Sequence, residues 1–214
     1  MTTKNSLPKL SSIEHKEKSI IKHFSSANTY WQEFKVYEME LPMVPRLISY
    51  EEPYWIEIEY VEGKPYLDEP LEPELIYTLA DTIGKFHSLT RKDKLCLCHW
   101  DNQPSNIIYS QTQIWLIDFS ESKFSFPEND ITHLLLFWCA EFPPAQLTVL
   151  IERFIYRYQL YLRLDSKVWQ NALECSLKRF NKRREAFAHH LSHLNYNQFK
   201  QNVSTLSTLS IVNL

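Results

Sequence analysis

Between Cys98 and Ser122 the chain reads CHWDNQPSNIIYSQTQIWLIDFSES. Two apolar runs frame this stretch, Leu95 to Cys98 and Ile114 to Ile117, and each ends on polar groups. The first leads into His99 and Asp101, the second into Asp118-Phe119. Short apolar runs bounded by turn-forming residues read as strands, so these polar groups fall at strand ends, where they can converge. Asn106 follows Asp101 by five residues, and Asp118 follows Asn106 by twelve. A carboxylate base, a carboxamide and a second carboxylate are the oxygen donors that phosphoryl transfer arranges around a magnesium nucleotide. Each residue taken alone has a plainer reading, as an Asx turn, a turn cap or a loop amide. The three at these offsets, behind two apolar runs, carry the functional one.

The rest of the chain limits the alternatives. Its 214 residues suffice for a real core, in one domain or two small lobes. A formal net charge of -3 offers no global attraction for nucleic acid or an anionic membrane. No apolar run approaches the roughly 20 residues that cross a bilayer, and the first residues lack a signal peptide's apolar segment, so a cytoplasmic protein is expected. Cys96 and Cys98 alternate with leucines and share one face of their strand. With no second close pair to complete a zinc site, they read as small buried hydrophobes, and Cys139 and Cys175 lie far away in apolar helical surroundings. Glycine is scarce: Gly63 and Gly84 are the two present, so a glycine-rich phosphate cradle is ruled out.

Along the chain, residues 1–17 are polar and weakly patterned, and Lys18 to Phe24 reads as a short strand. Trp31, Phe34, Tyr37 and Leu41 recur at helical spacing and predict an amphipathic helix from Asn28 to Leu41, stopped by Pro42 and Pro45. Two strands follow, Arg46 to Tyr50 and Tyr54 to Val61, joined at Glu51-Glu52-Pro53. Pro65, Pro70 and Pro73 mark a link and set the expected division, 1–63 and 64–214. Glu74 to Leu89 predicts a helix with Leu75, Leu79, Ile83, Phe86 and Leu89 inward. Past Asp130 the pattern is helical, including Gln146 to Leu164 and Val168 to about Leu194.

The motif HWDNQPSN followed by IDF resembles H-x-D-x-x-x-x-N…[I/V]-D-[F/W]. That pattern marks the aminoglycoside phosphotransferase and choline kinase family of the protein-kinase-like superfamily. Flanking segments are similar to the same family in order. KSIIKHF resembles its lysine strand, YWQEFKVYEMEL its glutamate helix and LPMVPRLI the segment that follows. YWIEIEYVEGKP resembles its hinge and ELIYTLADTIGKFHSL its L-x-x-L-H helix. FPENDI resembles the D-P-x-x-D-L run, so the likeness extends over about residues 18–140.

The resemblance implies an α+β, bilobal kinase-like fold with a shortened β-rich N-terminal lobe and a mainly helical C-terminal lobe. It implies Asp101 as catalytic base within loop 99–106 and His99 as a brace for that loop. Asn106 and Asp118, the latter in segment 118–120, would hold Mg2+. Lys22 would contact the ATP phosphates, paired with Glu33 or Glu38, and the backbone of Glu59, Tyr60 and Val61 would receive adenine. The implied partner is a small-molecule hydroxyl acceptor, with no nucleic acid or membrane involved.

The sequence also departs from the family. Twenty-one residues precede Lys22, none of them glycine, so the phosphate cover is expected to be shortened or rebuilt, with Ser11-Ser12 as a tight turn. A nucleotide-sensing pseudokinase with little turnover is the alternative that this departure supports. Trp100 replaces the glycine of the usual H-G-D. The basic run Leu177 to Phe187 reads as a solvated helix face over Leu177, Phe180 and Phe187. His189, His190 and His193 read as surface residues, and Phe154, Tyr156, Tyr158 and Tyr161 as helix packing.

Overall fold

The computed structural model describes residues 10–111, 113–186 and 195–209. A four-stranded antiparallel sheet opens the chain: β1 (Leu10–His15), β2 (Ser19–Phe24), β3 (Leu47–Glu51) and β4 (Trp55–Glu59), in the order β1-β2-β4-β3. Helix α1 (Ala27–Tyr37) lies between β2 and β3 in sequence and buries Phe34, Val36 and Tyr37. It ends four residues before Leu41, and Trp31 is among its exposed residues. The expected alternation of β4 holds, with Ile56 and Ile58 buried between half-exposed Trp55, Glu57 and Glu59.

β1 is a strand that patterning did not predict. Ser11 and Ser12 lie within it at a bulge rather than in a tight turn. An edge strand needs few apolar residues, since one neighbour supplies its hydrogen bonds. Ile13 faces Lys22 and His15 faces Ile20 across the β1–β2 ladder.

β5 (Lys64–Pro65), β7 (Ile107–Ser110) and β8 (Gln113–Leu116) form a second sheet, and β6 (Cys96–Cys98) pairs with β9 (Lys123–Ser125). The two apolar runs are thus not partners of each other; each has its own. Around them stand α2 (Pro73–Leu89), α3 (Glu128–Glu141), α4 (Pro144–Tyr158), α5 (Ser166–Ala186) and α6 (Tyr196–Thr208). Proline at the first position of α2 lacks an N–H that would have had no helical partner there. Leu75, Leu79, Ile83 and Phe86 are buried as expected, each worth about 1.5–3 kcal/mol. Leu89, by contrast, sits in the last turn and is 60% exposed.

Helix α4 stops at Tyr158, short of Leu164, and α5 is described to Ala186. The residues 187–194, with Phe187, His189, His190 and His193, lie outside the described residues. Phe154 and Tyr158 are core, but Tyr156 is exposed. α6, capped by the Asn195 side chain on the Gln198 amide, closes over Trp169, whose indole donates to the Leu206 carbonyl.

Both glycines serve close approach. A Cβ on Gly63 would lie 2.5 Å from the Tyr109 carbonyl oxygen, and one on Gly84 would lie 2.6 Å from the Tyr161 ring. Neither has a positive φ. The architecture is the expected α+β kinase-like one, with a small sheet lobe beside a helical region.

Candidate active site

A cleft of about 380 Å³ lies where β1, β2 and β4 meet the β7–β8 hairpin. Ile13, Ile20 and Ile58 line it on the sheet side, Ile108 and Ile117 on the hairpin side, and Glu59, Tyr60, Val61 and Gly63 along one edge. The isoleucines make two apolar walls, a shape suited to a flat heteroaromatic ring. Sequence reasoning missed these walls, because they form only where the opening sheet and the hairpin meet in space. Along the edge, the Glu59 and Tyr60 amides already donate to the Arg46 and Lys18 carbonyls, 2.9 and 3.0 Å away.

Ladder register brings the polar groups together. Ile107 pairs with Leu116, and the Ile117 amide donates to the Asn106 carbonyl at 3.0 Å, so Asn106 and Asp118 meet at one end of the hairpin. Asn106 Nδ2 donates to the Asp101 carbonyl at 2.8 Å, which fixes the amide and turns its Oδ1 away from that bond. The Asp118 side chain is 41% exposed, toward the cleft it lines. Burial opposes its charge most strongly, but the Lys22 ammonium, hydrogen bonds from Glu33 and Ser120 and the field of His99 together hold its pKa below the usual carboxylate range.

Lys22, on the cleft face of β2, reaches Glu33 of α1 at 2.7 Å and Asp118 at 3.4 Å. Of the two candidate partners, Glu33 is the one engaged; Glu38 is exposed beyond the helix end. Burial pushes the Glu33 carboxyl up to about 7, against the pull of Lys22 and with the push of Asp118. The same burial opposes the Lys22 charge, yet Glu33, Tyr37 and Asp118 together raise its pKa.

Asp101 is buried at the mouth of the catalytic loop, and its amide donates to His99 Nδ1 at 3.3 Å. His99 Nε2 donates to the Ile117 carbonyl at 2.8 Å, so both ring nitrogens are committed to backbone. Burial lowers its pKa, which keeps the ring neutral. This geometry ties His99 to the backbone on both sides of the ring.

The loop has a second brace from the FPENDI segment, to whose aspartate the sequence assigned no role. Asp130, in the first turn of α3, accepts the His99 and Trp100 amides at 2.6 and 2.8 Å and contacts His87 Nε2 at 3.1 Å. Burial opposes ionisation of Asp130, and His87, His99 and the Trp100 amide together hold the carboxyl below its ordinary range. Phe119 completes the support, packed against the rings of Tyr37, Phe86 and His99 at 5.6, 5.9 and 4.8 Å.

Trp100 and Asp118 both take left-handed backbone, with φ of 64° and 63°. Glycine adopts that conformation without cost, which gives the physical sense of the family's glycine at position 100. The indole lies under Lys123 Nζ at 3.7 Å and Arg179 at 5.4 Å. Arg179, expected on a solvated face, is instead mostly buried beside Glu121.

The donor set fits a hard cation. Asn106 and Asp118 offer oxygen ligands and no sulfur or imidazole, the chemistry that magnesium prefers.

Residues 89–165 match the sequence profile of the phosphotransferase enzyme family. A search of curated proteins returned no significant sequence match. Among solved structures, an aminoglycoside phosphotransferase from Alicyclobacillus acidocaldarius superposes with a TM-score of 0.59 at 13% identity, covering 97% of this chain and 94% of that one. Plasmodium vivax ethanolamine kinase gives 0.59 at 14% identity, over 95% of this chain and 83% of that one. A spectinomycin phosphotransferase in complex with ADP and spectinomycin gives 0.58 at 13% identity, over 94% and 88%. The matched segment is similar to the phosphotransferase enzyme family, and the chain shares its fold with aminoglycoside phosphotransferases and ethanolamine kinase.

Proposed function

We propose that the protein transfers the γ-phosphoryl group of ATP to a hydroxyl group of a small molecule. The observation that carries this reading is the convergence, at one end of an apolar-walled cleft, of Lys22, Asn106 and Asp118 with the Asp101 loop. Adenine fits between the isoleucine walls, with the Val61 backbone at its edge. Lys22, held by Glu33, meets the α- and β-phosphates. Asn106 and Asp118 would hold Mg2+, which when bound spreads the charge of the phosphate oxygens. Asp101 orients the acceptor hydroxyl and takes its proton late in an in-line transfer, as a carboxylate does where the transition state is loose. His99 and Asp130 keep the Asp101 backbone in place.

Bound ligands of related folds support the acceptor class: gentamicin, streptomycin and spectinomycin complexes are among them. The division at 63/64 puts the ATP-lysine sheet on one side and the Asp101 loop on the other.

The test is an ATP-consumption assay with magnesium over a panel of amino alcohols, sugars and aminoglycosides, with products read by mass shift. Turnover that Asp101→Ala and Asp118→Ala abolish supports the assignment; turnover persisting in both variants overturns it. Tight Mg-ATP binding without turnover across the panel favours a nucleotide sensor.

A further inference from the structure

The cysteine pair on β6 gains a third soft donor in the folded chain. His87, in the last turn of α2, lies against Cys96 and Cys98, with ligand atoms of all three within 4.8 Å of one another. None is more than 1% exposed. We propose that His87, Cys96 and Cys98 form a zinc site that ties α2 to β6 directly beneath the catalytic loop.

Four observations carry the assignment. The two sulfurs stand 3.8 Å apart. Tetrahedral zinc with arms of about 2.3 Å to sulfur spaces two thiolates by about 3.8 Å, so the pair needs little movement to bind. The spacing is built in, because residues two apart on a strand project from one face, and β6 is held in register by β9.

The imidazole already has the outer partner that metal-bound histidines commonly carry, a carboxylate: Asp130 on Nε2. With that bond kept, Nδ1 is the ligand nitrogen, and the Tyr158 hydroxyl now on it at 2.7 Å is the contact that yields.

Charge closes as well. Cys96 and Cys98 contact the backbone carbonyls of Ser125 and Phe126. Binding would release both thiol protons to solvent, leaving two thiolates, a neutral imidazole and a dication, which sum to zero over the ion and its ligands, while the Asp130 carboxylate stays held by His87 and the His99 and Trp100 amides.

Entry is open on one side. A surface cavity of about 440 Å³ reaches Cys96 past Leu95 and Pro127. Its rim carries Arg91, Lys94 and Arg163, cations that favour the thiolate form of a sulfur beside them. Three protein donors leave the fourth position of the ion to water or a small ligand.

The experiment uses the reduced, chelator-stripped full chain, titrated with Co2+ and then Zn2+. One equivalent of cobalt should produce thiolate-to-cobalt charge transfer and the visible bands of a four-coordinate ion, both bleached by zinc. Zinc should raise the melting temperature by several degrees and release about two protons per ion. Cys96→Ser and Cys98→Ser should each lose the charge-transfer band and weaken zinc binding at least tenfold, while exposed Cys175→Ser keeps both. If the serine variants fail to fold, X-ray absorption at the zinc edge of the wild-type protein decides, by counting two sulfur neighbours and at least one nitrogen. Cobalt bound without thiolate bands, no binding by the folded protein, or wild-type zinc affinity in the folded double serine variant overturns the site. No readout involves nucleotide, so the zinc site and the transfer reaction stand or fall separately.

Discussion

Lys22 and Glu33 form a buried ion pair, Nζ 2.7 Å from Oε1, and the same ammonium stands 3.4 Å from Asp118. Lys22→Met would strand Glu33 in the core, so stability should fall by about 3–5 kcal/mol. Glu33→Gln leaves Lys22 with Asp118 and should cost less. Denaturant titration of the two variants checks that order. For ATP, kcat/KM should fall about 100-fold in Lys22→Met, by loss of a charge aimed at the phosphates. Equal kinetics in wild type and Lys22→Met would remove Lys22 from the site.

Asp130 acts at a distance from the cleft, through two backbone amides. Asparagine there keeps one acceptor and turns an NH2 toward a donor, so one amide loses its partner. Asp130→Asn should lower kcat at least tenfold while the Kd for Mg-ATP stays within about twofold. Kinetics set beside calorimetry give the split, and a parallel loss of ATP binding would refute the bracing role.

The pH dependence of stability should carry the mark of His133. Burial, aided by Arg179, drops its pKa from 6.5 to about 3, and its Nδ1 contacts Asn102 Oδ1 at 2.7 Å. Between those values the unfolded chain binds a proton that the folded one refuses. The group's contribution is therefore whole above pH 6.5 and is lost as pH falls toward 3, at about 1.4 kcal/mol per pH unit. His99, also lowered by burial, acts in the same sense. Denaturation series from pH 7 to 4 should show a slope shallower by about one proton in His133→Gln.

Much of this site could be read before any fold was known, and the reasons are local. Asp101, Asn106 and Asp118 sit near strand ends that four-residue apolar runs announce, and Lys22 lies on the short strand KSIIKHF that the family resemblance singled out. Glu33 against Glu38 could not be separated, because the choice depends on where α1 ends, and helix ends carry weak signals. Asp130 lies in the matched FPENDI segment, but its hold on the loop stayed hidden because its partners are 30 and 31 residues upstream. The polar edge strand β1 and the reach of His87 to Cys96 were invisible for the same reason: only pairing in space gives them meaning.

Trp100 invites a test of backbone against side chain. Glycine at φ 64° should relieve about 1–2 kcal/mol of left-handed cost. It would also give up contacts to Lys123 and Arg179, worth about 0.5–1 kcal/mol each, so Trp100→Gly should come out near neutral. Trp100→Val loses the contacts and keeps a worse strain, and should be destabilised by about 2 kcal/mol or more. Thermal melts of the pair separate the two contributions; a valine variant as stable as the glycine one would dismiss backbone strain.

Gly63 has a mechanical consequence. Its backbone is pressed onto Tyr109, and pairing of β5 with β7 begins at the next residue, while the β2–β4 ladder runs to Glu59. The covalent joint between the opening sheet and the second one is thus Tyr60, Val61 and Glu62. Tyr60 and Val61 also line the cleft, so a ring seated there touches the axle itself. On the proposed reading, a nucleotide base seated there would bear on how far the Lys22 sheet stands from the Asp101 loop.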